Sequence, residues 1–138
     1  MACYVVMRQE NKIAFVLREN TSWMNGFYSL PAGRVEWGET AAQGAMREAK
    51  EEAGITITSE GLRQILLVHR HAEDTDWVDV YFEVLDWEGE LTNAEPDIHS
   101  EAVWIDQDNL PENIIPPQRA ALDSIVAGET YAEYGWTS

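Results

Sequence analysis

Three things are scarce in this chain. It has one cysteine, nine lysines and arginines against 25 aspartates and glutamates, and no apolar run that approaches a membrane span. A lone Cys3 cannot close an internal disulfide, which excludes a disulfide-stapled fold and fits a reducing, cytoplasmic setting. The formal net charge of −16 repels a phosphate backbone and argues against a nucleic-acid polymer or an anionic membrane as partner. It does not exclude a small phosphorylated ligand, because a bound metal would supply local positive charge. Met1 to Gln9 contain neither a basic region nor a sufficient apolar stretch, so no signal peptide is expected. Internal repeats, low-complexity tracts and linkers are missing as well. The 138 residues, 45% of them hydrophobic, are therefore expected to form one domain, 1–138, with a core of its own.

What the chain does have is concentrated between Gly33 and Ile55. Thr40 stands three residues before Gln43, a capping-box pattern, and Gly54 falls where a left-handed stop belongs, so a helix over Ala41–Ala53 is predicted. Glu48 precedes Glu51 by three residues and Glu52 by four, which crowds these carboxylates on one helix face. Like charges at that spacing cost roughly 0.2–0.5 kcal/mol per pair. The last turn of a helix is also its negative end, where anions are disfavoured. A divalent cation would reverse both penalties, and all-oxygen donors select a hard one, Mg²⁺ or Mn²⁺. The competing explanation is a solvated acidic face, partly neutralised by Arg47 and Lys50, with Arg47 and Glu51 as an ordinary i,i+4 pair. The full spacing weighs against it: Gly33, five residues, Glu39, seven residues, Arg47-Glu48, two residues, Glu51-Glu52, one residue, Gly54-Ile55. At average residue usage such a pattern arises by chance with a probability on the order of one in a million.

Gly33 to Ile55 resembles the signature box of the Nudix hydrolases at every specified position. Leu30-Pro31-Ala32 ahead of it resembles the family's lead-in, with Ala32 where a second glycine is common. The resemblance implies an α+β fold, an α/β/α sandwich with a mixed β-sheet between helices. It also implies metal-dependent hydrolysis of a diphosphate linkage in a nucleoside diphosphate-X compound, with Mg²⁺ or Mn²⁺ as cofactor, a small nucleotide as partner, and often a homodimer. Carried onto this sequence, it makes Glu48, Glu51 and Glu52 the metal ligands, helped by Glu39 and the carbonyl of Ala32, and gives Arg47 the task of orienting the helix carboxylates. A loop carboxylate is expected before the last main strand; Glu95 is the first candidate, with Asp97 and Glu101 as competitors. The general base is left open between Glu52 and Glu95. Gly33 would let backbone approach metal or phosphate. Arg18 is a candidate phosphate contact and Asn113 a candidate reader of a base edge. Trp23 could stack on a nucleobase, although packing into the core is the stronger expectation for it. The favoured substrate is an oxidised or ordinary nucleoside triphosphate, cut to monophosphate and pyrophosphate. ADP-ribose and nucleotide sugars are the alternatives, as are a non-catalytic nucleotide or ADP-ribose sensor and an acidic interaction protein.

The rest of the chain supplies the frame. Ala2–Met7 and Ile13–Leu17 are predicted to form a hairpin around a polar turn. Leu62–His71 and Trp77–Leu85 form a second pair, in which Val78, Val80, Phe82 and Val84 are expected to face the core and Asp79, Tyr81 and Glu83 the solvent. His69 and His71 share a face, but no third nitrogen or sulfur ligand is near enough in sequence to favour zinc. Ala102–Ile105 gives a last short strand. A helix over Gln118–Val126, stopped by Gly128, is expected to bury Ala120, Leu122, Ile125 and Val126. The aromatic tail, Tyr131 to Trp136, would cover the sheet or meet a partner subunit.

Overall fold

Ala2 to Met7 is apolar at every position, a pattern that suits a strand covered on both faces. The computed structural model, which describes residues 1–137, places this strand, β1 (Ala2–Gln9), inside a mixed sheet. It is parallel to β6 (Asp76–Val84), antiparallel to β4 (Ala32–Arg34), and turns at its far end into β2 (Lys12–Arg18). Beyond β6 lies antiparallel β5 (Leu62–His71), and β8 (Tyr131–Tyr134) joins β5 in parallel. On the other side β2 pairs with β3 (Tyr28–Ser29) and β7 (His99–Asp106), both antiparallel.

Side chains of β1 alternate between two cores. Tyr4 and Val6 join Ala121 and Leu122 of α2 (Pro116–Val126), whereas Cys3, Val5 and Met7 join Ala45, Ala49 and Ala53 of α1 (Ala41–Ala53). The result is the expected α/β/α sandwich with a mixed sheet between helices. The alanines recur every four residues on one side of α1, and their small size lets the helix lie close to the sheet. Thr40 and Gln43 exchange both capping-box bonds, at 2.8 and 3.0 Å, and Gly54 closes the helix with φ of 70°. Among the described residues no helix is long and apolar enough to cross a membrane.

The structure corrects two burial patterns. In β6, Asp79 and Tyr81 are each 1% exposed rather than facing solvent. The second face of this strand is also covered, because it packs into the core shared with Ala121 and Leu122 of α2; Tyr81 stacks on Tyr4 at 4.4 Å, and Asp79 pairs with Arg70. In α2, Val126 is 78% exposed and Ala121 is buried instead, because the helix begins at Pro116 and its inward face is set by Gln118, Ala121 and Leu122. The tail adds a strand to the sheet edge instead of covering a face. Trp136 then lies against His69 and His71 and donates its indole N–H to the His69 carbonyl at 2.9 Å, while His71 faces Asp76. These histidines serve the strap.

Ala49→Leu is expected to lower stability by about 1–3 kcal/mol through overpacking between α1 and the sheet. Val126→Ala should change it by less than about 0.5 kcal/mol. Urea denaturation measures both; a comparable loss for Val126→Ala would return that side chain to the core.

Candidate active site

Arg47 lies at the middle of an acidic group built by one helix and the loop before it. Its Nε and Nη2 donate to Glu39 at 3.1 and 2.8 Å, and its Nη1 donates to Glu48 at 2.8 Å and to Glu51 at 3.2 Å. Nη2 also reaches the carbonyl of Arg34 at 3.0 Å, which ties α1 to the end of β4. Glu39 is held below the usual carboxylate range, first by Arg47 and then by the backbone N–H of Glu36 at 2.8 Å. Arg47, next to Glu48 in the chain and one turn before Glu51, gives both a shared counter-charge.

Glu52 faces away from Arg47. Only 7% exposed, it accepts the amide N–H of Ala32 at 3.1 Å, and burial raises its affinity for a proton well above that of an ordinary glutamate. Glu48 and Glu95 add repulsion to that burial. Glu48 is likewise raised, first by burial, with Glu51 and Glu95 contributing. Glu95, 43 positions from Glu52 in the chain, reaches the group because its loop caps the end of α1: Thr92 N–H donates to the carbonyl of Ala53 at 3.0 Å and Ala94 N–H to that of Glu52 at 3.2 Å. Of the two competitors, Glu101 accepts the Tyr28 hydroxyl at 3.0 Å and Asp97 is exposed. Gly33 lets the Glu48 carboxylate lie against the strand: a Cβ there would displace it.

The start of β4, Ala32-Gly33, separates these carboxylates from a cavity of about 610 Å³. Arg18, Arg34 and Arg70 line the cavity and no acidic residue does. Arg18 donates to the carbonyl of Trp23 at 3.0 Å and lies over its ring. Trp23 is 52% exposed at the cavity wall, which overturns the core-packing expectation: its loop, 20–26, stays outside the sheet. Asn113 is not among the lining residues, and its amide donates to the carbonyl of Gly26 at 2.9 Å. Arg34, Arg70 and Trp77 line the cavity without having been singled out in the sequence. The pairing of β4 with β1 brings Arg34 there and the pairing of β5 with β6 brings Arg70 and Trp77, and no local motif marks them.

Among the described residues no three His, Cys, Asp or Glu groups form a ready metal cage; Arg47 draws Glu39, Glu48 and Glu51 toward itself. The donor chemistry nevertheless fits a hard divalent cation. Glu48, Glu51, Glu52 and Glu95 offer only oxygen, they repel one another, and Glu48 and Glu52 are held out of water, a penalty that a cation relieves.

A NUDIX domain family model matches residues 1–125. An 8-oxo-dGDP phosphatase from Homo sapiens is 33% identical over 114 residues, covering 79% of this chain and 34% of the human protein, so the chain spans about a third of that relative's length. An 8-oxo-dGTP diphosphatase from Proteus vulgaris is 33% identical over 95 residues, covering 67% of this chain and 80% of its own. The crystal structure of a MutT NUDIX hydrolase from Burkholderia pseudomallei superposes with a TM-score of 0.79 at 26% identity, covering 88% of this chain and 94% of that one.

Because the proton affinity of Glu52 is raised in the fold, its contribution to stability is full below the unfolded pKa and is lost as pH rises through the folded one. In EDTA, Glu52→Gln is therefore expected to melt higher than the unmodified protein at pH 8, with the gap closing toward pH 5. Differential scanning calorimetry checks this. A variant less stable at every pH would show that ionised Glu52 is stabilising.

Proposed function

The chain belongs to the Nudix hydrolase family, and we propose that it hydrolyses the diphosphate linkage of a nucleoside triphosphate, with an oxidised or an ordinary base, to the monophosphate and pyrophosphate. One observation carries this reading: an acidic group able to take a divalent cation lies across the short strand β4 from a cavity whose charged lining is entirely arginine. The names of the two relatives support a nucleotide substrate.

Glu48, Glu51 and Glu52, with Glu39, Glu95 and the carbonyl of Ala32, are the groups that would hold Mg²⁺ or Mn²⁺. When bound, the ion neutralises phosphate oxygens and lowers the pKa of water. In the reaction the oxygen of water bonds to phosphorus, the bridging P–O bond breaks, and pyrophosphate leaves with its electron pair. Glu52 or Glu95 accepts the proton from that water, as both hold protons more tightly than an ordinary glutamate. Arg47 keeps Glu39, Glu48 and Glu51 turned toward one another. Arg18, at the cavity wall and within electrostatic reach of Glu52, is placed to meet a phosphate. Trp23 offers an exposed indole face at the same wall. Asn113 acts through the loop it ties at Gly26.

Product release from a panel of nucleoside di- and triphosphates, ADP-ribose and nucleotide sugars, with Mg²⁺ and then Mn²⁺, tests the reading. Turnover of triphosphates is expected, with a loss of at least about 100-fold in kcat for Glu52→Gln and abolition in the Glu51→Gln/Glu52→Gln double variant. The acid limb of the pH profile, followed in Glu52→Gln and Glu95→Gln, identifies the base. Tight nucleotide binding without turnover on any member of the panel would replace the enzyme with a sensor.

A further inference from the structure

Arg70 is tied down more firmly than the other cavity arginines. Its Nε and Nη2 form a fork to Asp79 at 2.5 and 3.1 Å, the two side chains being 18% and 1% exposed. Its guanidinium lies over the Trp77 ring at 5.3 Å, and that of Arg34 lies over the same ring at 5.1 Å. Asp79 neutralises Arg70, which is why a guanidinium can be held at the wall of a partly buried cavity. The fork to Asp79 leaves Nη1 of Arg70 unused, and the Tyr4 hydroxyl lies beside this pair. Two neutral polar side chains of the wall, Gln118 and Ser29, are otherwise engaged, and the hydroxyls of Tyr4 and Ser22 also line the cavity. Gln118 accepts from Leu30 N–H at 2.7 Å and donates to the Ser29 hydroxyl at 3.0 Å, and that hydroxyl donates to the Leu30 carbonyl. The cavity thus offers donors from three arginines and no carboxylate to accept.

We propose that Arg70, anchored by Asp79 and laid on Trp77, is a specificity-determining residue that selects substrates presenting an unprotonated oxygen and rejects those presenting an amino group in its place. The oxygen is either a keto group of the base or a phosphate oxyanion; both are pure acceptors. An amino group would set donor against donor and leave Nη1 unpaired, the situation in which a polar site discriminates strongly. The fork to Asp79 fixes the guanidinium before the ligand arrives, so little side-chain freedom is lost on binding. Asp79 is a positioning residue: it acts through Arg70 alone.

This inference rests on the hydrolase reading above, and the experiment separates the two. kcat/KM is measured with Mg²⁺ for ITP against ATP and UTP against CTP, pairs that differ at a keto or amino edge, and for the matching diphosphates. The unmodified protein is compared with Arg70→Gln/Asp79→Asn, which keeps the pair neutral and hydrogen-bonded. The expected result is a keto preference, or a triphosphate preference, that falls by about tenfold or more in the double variant while the disfavoured substrates change by less than about threefold. Collapse of the keto-to-amino ratio at both phosphate lengths assigns the oxygen to the base; collapse of the triphosphate-to-diphosphate ratio assigns it to the terminal phosphate. An equal loss on every substrate, unchanged ratios, or no preference in the unmodified protein overturns the inference. Arg70→Lys, which keeps the charge without the fork, gives the same comparison if the double variant does not fold. Titration of the same proteins with IMP, AMP and pyrophosphate, followed by tryptophan fluorescence, needs no turnover. Arg70-dependent discrimination there, in a protein that hydrolyses nothing, would sink the hydrolase reading and keep this one; no discrimination there in such a protein sinks both.

Discussion

Repulsion among crowded glutamates, with Glu52 buried and Glu48 half-buried, is the constraint on which the rest of the site depends. α1 must carry Glu48, Glu51 and Glu52 on one side and near its negative end, an arrangement opposed both by like charge and by the helix dipole. Arg47 relieves part of that repulsion by bonding Glu39, Glu48 and Glu51 at once. Glu52 is left outside its reach, held by one backbone amide and by burial. The capping box, the αL stop at Gly54 and the alanine face keep the helix in place despite its charges.

The chain separates its charges by sign. It carries −16 overall, yet three of its nine basic residues line a single cavity that has no acidic lining residue. An acidic exterior discourages long polyanions, while the local arginines favour a small anion, so field and cavity select for size as well as for charge. The buried Arg70–Asp79 pair extends this logic into the sheet: neutral as a unit, it leaves a directed donor at the cavity wall.

Much of the fold was legible because its signals are local. The helix bounds Ala41–Ala53 follow from Thr40, Gln43 and Gly54, and β5 runs over Leu62–His71 as its apolar and turn residues suggest. The short strands β3, β4 and β8, of two to four residues, carry too few positions for a period to show. The burial of Asp79 and Tyr81 was hidden for a related reason. Alternation identifies a strand with one wet face, and only the packing of a helix on each side of the sheet reveals that β6 has none.

The spacing from Gly33 to Ile55 determined by itself which carboxylates would share a helix face, because helical periodicity is a property of neighbours in the chain. Tertiary structure decided what faces that helix. Glu95 arrives through a loop whose amides cap the end of α1, and Arg70 and Trp77 reach the cavity through the pairing of β5 with β6. Such contacts join residues far apart in sequence, where no local periodicity connects them.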